Sequence, residues 1–253
     1  MTDAPAEFRG KRIFITGGNS GIGRAAAEAF ARAGARVAVM GRDRRTLDST
    51  RASLGDGGVA IQGDVSKLSD IDAAVDVVRR DLGAIDVLIV SAGVSPILPI
   101  DKVSEEFFDR VIGVNLKGAF FTMQKCVPLL VDGAAVVLLG SSGARKGVGG
   151  MSVYSASKAG LRALARSFSV ELMPRRIRVN VLSPGPVQTP IVDRLEVPDH
   201  IAPALTENIR RQVPLQRFGE TREMVAALMF LSCADSAFVV GADLRADGGL
   251  TTL

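Results

Sequence analysis

From end to end the chain alternates short β-branched and aliphatic runs with longer amphipathic stretches, and that alternation restricts the fold more than any single motif. Candidate strands lie at 12–16, 36–40, 59–62, 87–90, 135–139, 177–182 and 242–246. Helical patterns lie between them at 21–33, 44–54, 69–82, 105–130, 153–173 and 222–232. Nearly continuous apolar strands need cover on both faces, so the pattern predicts an α/β fold, a doubly wound (Rossmann) parallel sheet with helices on each side. No linker, repeat or low-complexity segment interrupts it. With 253 residues, 47% of them hydrophobic, one core can be buried, so a single domain over 1–253 is expected.

Several function classes drop out. The longest apolar runs, such as 87–90 and 136–139, are strand-sized and far short of a membrane span. The N-terminus has acidic residues and no apolar core, which argues against a secretory signal and for a cytoplasmic protein. Cys126 and Cys233 sit in apolar helical contexts and are expected to be buried free thiols. His200, the only histidine, stands in a loop-like stretch without partners for a zinc site. The net charge of +4 is spread, without a long basic block or interleaved aromatics, so nucleic acid is not expected as a partner.

The run Thr16-Gly17-Gly18-Asn19-Ser20-Gly21-Ile22-Gly23 follows the first strand and opens an alanine-rich helix. Glycines there permit a tight turn and close backbone approach to a diphosphate, and the helix N-terminus offers free N–H groups to the anion. In this position the turn predicts a bound dinucleotide. At the end of the second strand stands Gly41, where a carboxylate would repel a 2′-phosphate, and Arg42 follows with a fork suited to phosphate. This favours NADP(H). Asp43, able to pair with Arg42 or to turn toward the ribose, keeps NAD(H) as the alternative.

Tyr154, the only tyrosine, stands four residues before Lys158, which puts both on one helix face. An ammonium beside a phenol favours the phenolate and would bring its proton into use near neutrality. Two serines, Ser141 and Ser142, follow the fifth strand. The stretch 186–214 is rich in proline and is expected to form a substrate lid.

Together, the Thr-Gly-x-x-x-Gly-x-Gly loop, the Tyr-x-x-x-Lys pair and the Ser183-Pro184-Gly185 segment, in this order, resemble the short-chain dehydrogenase/reductase family over almost the whole chain. The resemblance implies seven parallel strands, a homotetramer, and hydride transfer between a nicotinamide and a carbonyl or alcohol. It makes Tyr154 the acid/base and Lys158 its partner, which also holds the nicotinamide ribose. Asn115 would fix a water in the proton relay. Family spacing to the tyrosine points to Ser141 as the catalytic serine, with Ser142 left open. Asp64, beside Val65, looks like the residue that binds adenine, and Val187 and Thr189 match the positions that hold the nicotinamide amide. Where the family often has Asn-Asn-Ala-Gly, this chain has Val90-Ser91-Ala92-Gly93, which keeps the small residues but loses the asparagine bonds. A 3-oxoacyl thioester reductase, with Arg145-Lys146 as part of a basic patch, is one alternative. A catalytically idle dinucleotide sensor is another. Surplus apolar residues, among them Phe107, Phe108, Phe120, Phe121, Leu161, Leu164 and Phe168, suggest subunit contacts.

Overall fold

The computed structural model describes residues 6–188 and 202–253. Strands β1 (Arg12–Thr16), β2 (Arg36–Gly41), β3 (Val59–Gln62), β4 (Ile85–Val90), β5 (Leu130–Leu139), β6 (Arg178–Pro184) and β7 (Asp243–Ala246) form one parallel sheet. Their order is β3-β2-β1-β4-β5-β6-β7. Side chains alternate across it as a pleated backbone requires. Phe14, Leu88 and Val136 point to one core, while Ile13, Ile15, Ile89 and Val137 point to the other.

The helices close both cores. On the second face, α1 (Gly21–Arg32), α2 (Arg44–Ser53) and α8 (Thr221–Ser232) bring Ala26, Phe30, Leu47, Met224 and Leu228. On the first, α3 (Leu68–Asp81), α5 (Gly118–Cys126) and α6 (Ser152–Leu172) bring Val75, Val78, Met123, Leu161 and Phe168. Two further helices, α4 (Glu105–Ile112) and α7 (Ala202–Gln212), lie outside this scheme. Local chemistry sets the ends. Ser104 caps α4 by accepting from Phe107 N at 3.2 Å, and Glu220 and Glu223 form a reciprocal box at the start of α8.

Some expectations need correction. The helix expected over 105–130 is broken by a π turn at Gly113–Lys117, and it ends in a short 3-10 turn, Val127–Leu129, that contains Pro128. Proline cannot donate the next helical bond, and β5 begins at once, at Leu130. Cys126 is a buried thiol as expected, but Cys233 follows the last turn of α8 and is only half-buried. Most of the apolar surplus is used inside the chain. Leu161 and Phe168 are buried, Phe120, Phe121 and Leu164 pack against the first core, and Phe108 remains exposed. Of the expected lid, α7 is seen, whereas 189–201, with Thr189 and His200, lie outside the described residues. Among the described residues no helix is long and apolar enough to cross a membrane.

The inner strands bear most of the packing. Leu88, fully buried on β4, should lose about 3 kcal/mol on Leu88→Ala, from lost transfer energy and the cavity left behind. Urea unfolding should show a lower midpoint with an unchanged slope.

Candidate active site

The strand order reverses between β1 and β4, and a crevice opens at their carboxyl ends, where an open α/β sheet binds ligands. Two glycines make the close approach possible. Gly17 has φ +68°, and a Cβ on it would lie 2.8 Å from Ala92 Cα. A Cβ on Gly23 would collide with the Gly17 carbonyl oxygen. Thr16 is buried beneath the turn, and its hydroxyl accepts from Ala92 N at 3.4 Å. Ser20 precedes α1 without capping it through its side chain, so the first N–H groups of the helix, from Gly21 on, meet the crevice uncapped. Bare backbone donors walled by glycine fit the diphosphate of a dinucleotide.

The groups at the end of β2 divide their work differently from the sequence expectation. Gly41 does not open a space: the Asn19 side chain covers it, and any Cβ there would collide with the Asn19 amide. Asn19 is itself held by a 2.7 Å bond from Nδ2 to Thr46 Oγ1. Asp43 caps α2, accepting from Thr46 N at 2.8 Å, a bond that holds its carboxyl below the usual range. Arg42 is exposed, and its closest carboxylate oxygen is Asp64 Oδ2 at 3.8 Å. Partial burial pushes the Asp64 carboxyl up, but bonds from Ser66 N and Oγ and the charges of Arg42 and Lys67 outweigh it, leaving the carboxyl below its ordinary value. Val65, next in the chain, is buried.

The catalytic candidates gather at the far end of the crevice. Tyr154 is partly open to the cleft, yet desolvation raises its phenol pKa; hydrogen bonds with the Ser141 and Ser95 hydroxyls pull the other way. Lys158, one turn on, is buried, which lowers its ammonium to about 8. Its Nζ donates to Leu139 O at 2.7 Å. The phenol is therefore partnered by two serines, not by the lysine expected beside it. Ser141 and Ser142 both line the cleft, but only Ser141 bonds the phenol. Asn115 sits in the π turn, fully buried. Its Oδ1 accepts from Val94 N at 2.8 Å, and its Nδ2 donates to Val94 O at 2.9 Å and Ser157 Oγ at 3.1 Å.

Ser95, Ser141, Ser142, Tyr154 and Lys158 border a cleft of about 430 Å³. Ile22, Ser91 and Gly93 form its crevice side, Pro184, Gly185 and Val187 the β6 side, and Ile97, Met151, Ile209 and Phe218 much of its apolar wall. The backbone leaving β6 is pinned, with Gly185 N donating to Ala246 O at 3.0 Å and Gly219 N to Pro186 O at 2.9 Å. Sequence reasoning missed Ser95, whose single hydroxyl carries no motif, and a knot centred on Asp243 of β7. Asp243 Oδ2 accepts from Arg145 Nη2 at 2.8 Å and Nε at 3.0 Å, and Oδ1 accepts from Ser183 Oγ at 2.5 Å. Arg162 Nε lies 2.9 Å from Oδ2 without being aligned to donate, a contact of charge on charge. The knot joins the serine loop, α6, β6 and β7.

Comparison with known proteins agrees with this fold. A family model described as enoyl-(acyl carrier protein) reductase matches residues 17–251. The chain is 38% identical over 246 residues to the oxidoreductase asL5 of Sarocladium schorii, covering 96% of this chain and 97% of that one. A short-chain dehydrogenase/reductase from Brucella melitensis, described as a glucose/ribitol dehydrogenase, superposes with a TM-score of 0.91 at 32% identity, covering 98% of this chain and 99% of the other. The 3-ketoacyl-(acyl-carrier-protein) reductase of the same organism, solved with NADH, gives 0.88 at 27% identity, covering 96% and 99%.

Removing the carboxylate at the centre of the knot would leave two part-buried guanidinium groups close together without a counter-charge. Asp243→Ala should therefore lower stability by about 3 kcal/mol, and Arg145→Ala by less, because Asp243 keeps Arg162 and Ser183. Chemical denaturation of the two variants against wild type checks the order.

Proposed function

The chain belongs to the short-chain dehydrogenase/reductase family of oxidoreductases, and from that premise we propose that it is an NADP(H)-preferring enzyme acting on a carbonyl or secondary alcohol, with Tyr154 as acid/base. The observation that carries the reading is one cleft in which the Tyr154 phenol is bonded to Ser141, one turn from buried Lys158. Thr16, Gly17, Asn19 to Gly23, Arg42, Asp64, Val65, Ser91 to Gly93, Tyr154, Lys158, Pro184, Gly185 and Val187 would hold the dinucleotide, with Thr189 assigned from the resemblance alone. When bound, the nicotinamide supplies or takes up the hydride. In reduction Ser141 donates a hydrogen bond to the carbonyl oxygen as charge develops there. Tyr154, whose burial favours the protonated phenol, delivers its proton to the same oxygen. Asn115, through Val94, holds the wall that carries Ser95. In oxidation the same groups act in reverse.

A 3-oxoacyl thioester is the second reading, prompted by the likeness to the Brucella melitensis reductase. Its expected basic patch is thinner than the sequence suggested, since Arg145 is drawn to Asp243 and Lys146 alone of the pair lines the cleft. A homotetramer belongs to the proposal, supported by exposed Val170, Met173 and Phe238. So does a cytoplasmic setting, which suits free thiols at Cys126 and Cys233.

Tyr154→Phe keeps the ring but has no proton to give. Turnover should fall by about a thousandfold or more, while NADPH titration of the folded variant gives a dissociation constant close to wild type. Lys158→Ala should lose both turnover and cofactor affinity. Near-normal turnover in Tyr154→Phe would sink the mechanism, whereas NADPH binding without turnover of any carbonyl by the wild-type protein would favour the idle sensor.

Cofactor choice rests on Arg42, since Asp43 is taken up by the α2 cap. Arg42→Ala should weaken NADPH by roughly tenfold to a hundredfold, leave NADH nearly unchanged, and show a smaller effect at high salt. If the wild-type protein binds NADH more tightly than NADPH, the assignment is wrong. Gly41→Asp is a poor test of the same point, because the new side chain would first have to displace Asn19.

A further inference from the structure

The two basic residues of the serine loop, consecutive in the chain, face different surroundings. Arg145 is matched by Asp243. Lys146 lines the catalytic cleft, half-buried, and its Nζ donates to Gln212 Oε1 of α7 at 3.1 Å. An ammonium carries three donors, and a neutral amide oxygen satisfies one of them without neutralising the charge. Among the described residues no carboxylate lies within ion-pair distance of Lys146, and none lines the cleft. Val148, Met151 and Ile209 line the same cleft and offer the ammonium no further acceptor, so its remaining donors are left to water or to an anion that enters. Its position is also set. Lys146 N donates to Ser142 O at 3.3 Å, which ties its backbone to the residue that follows Ser141, the serine that bonds Tyr154.

We propose that Lys146 is a specificity-determining residue that binds an anionic oxygen of the substrate, so that the enzyme acts on carbonyl compounds bearing an acidic group on an apolar chain. This rests on the hydride-transfer reading above and adds the substrate class. The anionic oxygen has two chemical sources, the carboxylate of a free oxo acid and a phosphate of a phosphopantetheine thioester. Either would replace one water-facing donor of the ammonium with a charge-assisted bond in the cleft, while the apolar chain lies along Ile97, Val148, Ile209 and Phe218.

The test is steady-state reduction, with NADPH and with NADH, of a series of medium-chain oxo acids, their methyl esters, and 3-oxobutyryl-coenzyme A. Wild type should prefer an anionic member to its uncharged partner by roughly tenfold to a hundredfold in kcat/KM. Lys146→Met should abolish that preference by raising KM for the anionic substrates, leaving kcat and the ester kinetics near wild type, and Lys146→Arg should restore it. Preference for the acids identifies the carboxylate source, and preference for the coenzyme A ester alone identifies the phosphate. Equal efficiency on the acids, the methyl esters and the coenzyme A ester in wild type overturns the assignment. So does a Lys146→Met loss that is the same for the uncharged esters as for every anionic member, which would mean that Lys146 only tethers α7. Turnover of no member with either cofactor overturns the hydride-transfer reading along with this one.

Discussion

The geometry of the cleft depends on one buried amide. Asn115 exchanges two hydrogen bonds with the backbone of Val94 and gives a third to Ser157, whose own hydroxyl donates to Tyr154 O at 2.6 Å. Three segments far apart in the chain are thereby held in register: the exit of β4, the π turn, and the first turns of α6. A buried amide deprived of such partners is expensive to leave unsatisfied. The π turn gives the side chain its place, since Gly118 N reaches back to Gly113 O and the helix accommodates an extra residue around Asn115. Val94 stands between Gly93 and Ser95, so the same clamp sets both the crevice wall and one partner of the phenol.

What was legible in the sequence was what local pattern controls. Strands buried on both faces read as apolar runs, the glycine turn stood between strand and helix, and Tyr154 and Lys158 share a helix face by spacing alone. What escaped depends on contacts between distant segments. The π turn answers to a bond between Asn115 and Val94 that no periodicity records. The Arg145–Asp243 contact spans 98 positions. Asn19 over Gly41 is of the same kind, a side chain that fills the space an absent one seemed to leave. Spacing put Lys158 on the helix face of Tyr154, but it could not show that one donor of the buried ammonium goes to the Leu139 carbonyl.

Neighbouring charges in this protein do unlike things, and reach decides which. Asp43 and Arg42 adjoin at the end of β2, but the shorter side chain is captured by the N-terminus of α2 while the longer one extends into solvent. Arg145 and Lys146 adjoin in the serine loop, yet one turns to β7 and the other to the cleft. Composition counts such residues as equals. Backbone direction and the nearest unsatisfied partner separate them.

The Asp243 knot also constrains how this sequence can drift. Arg145, Arg162, Ser183 and Asp243 meet around one carboxylate, so their substitutions are not independent. A lineage that exchanged the aspartate first would pass through a form with two facing cations and no counter-charge. One that exchanged a single arginine first would meet a gentler slope, since the other arginine and Ser183 still meet the carboxylate. The order of historical changes at these four positions is therefore biased, and the aspartate should be the last of the set to go.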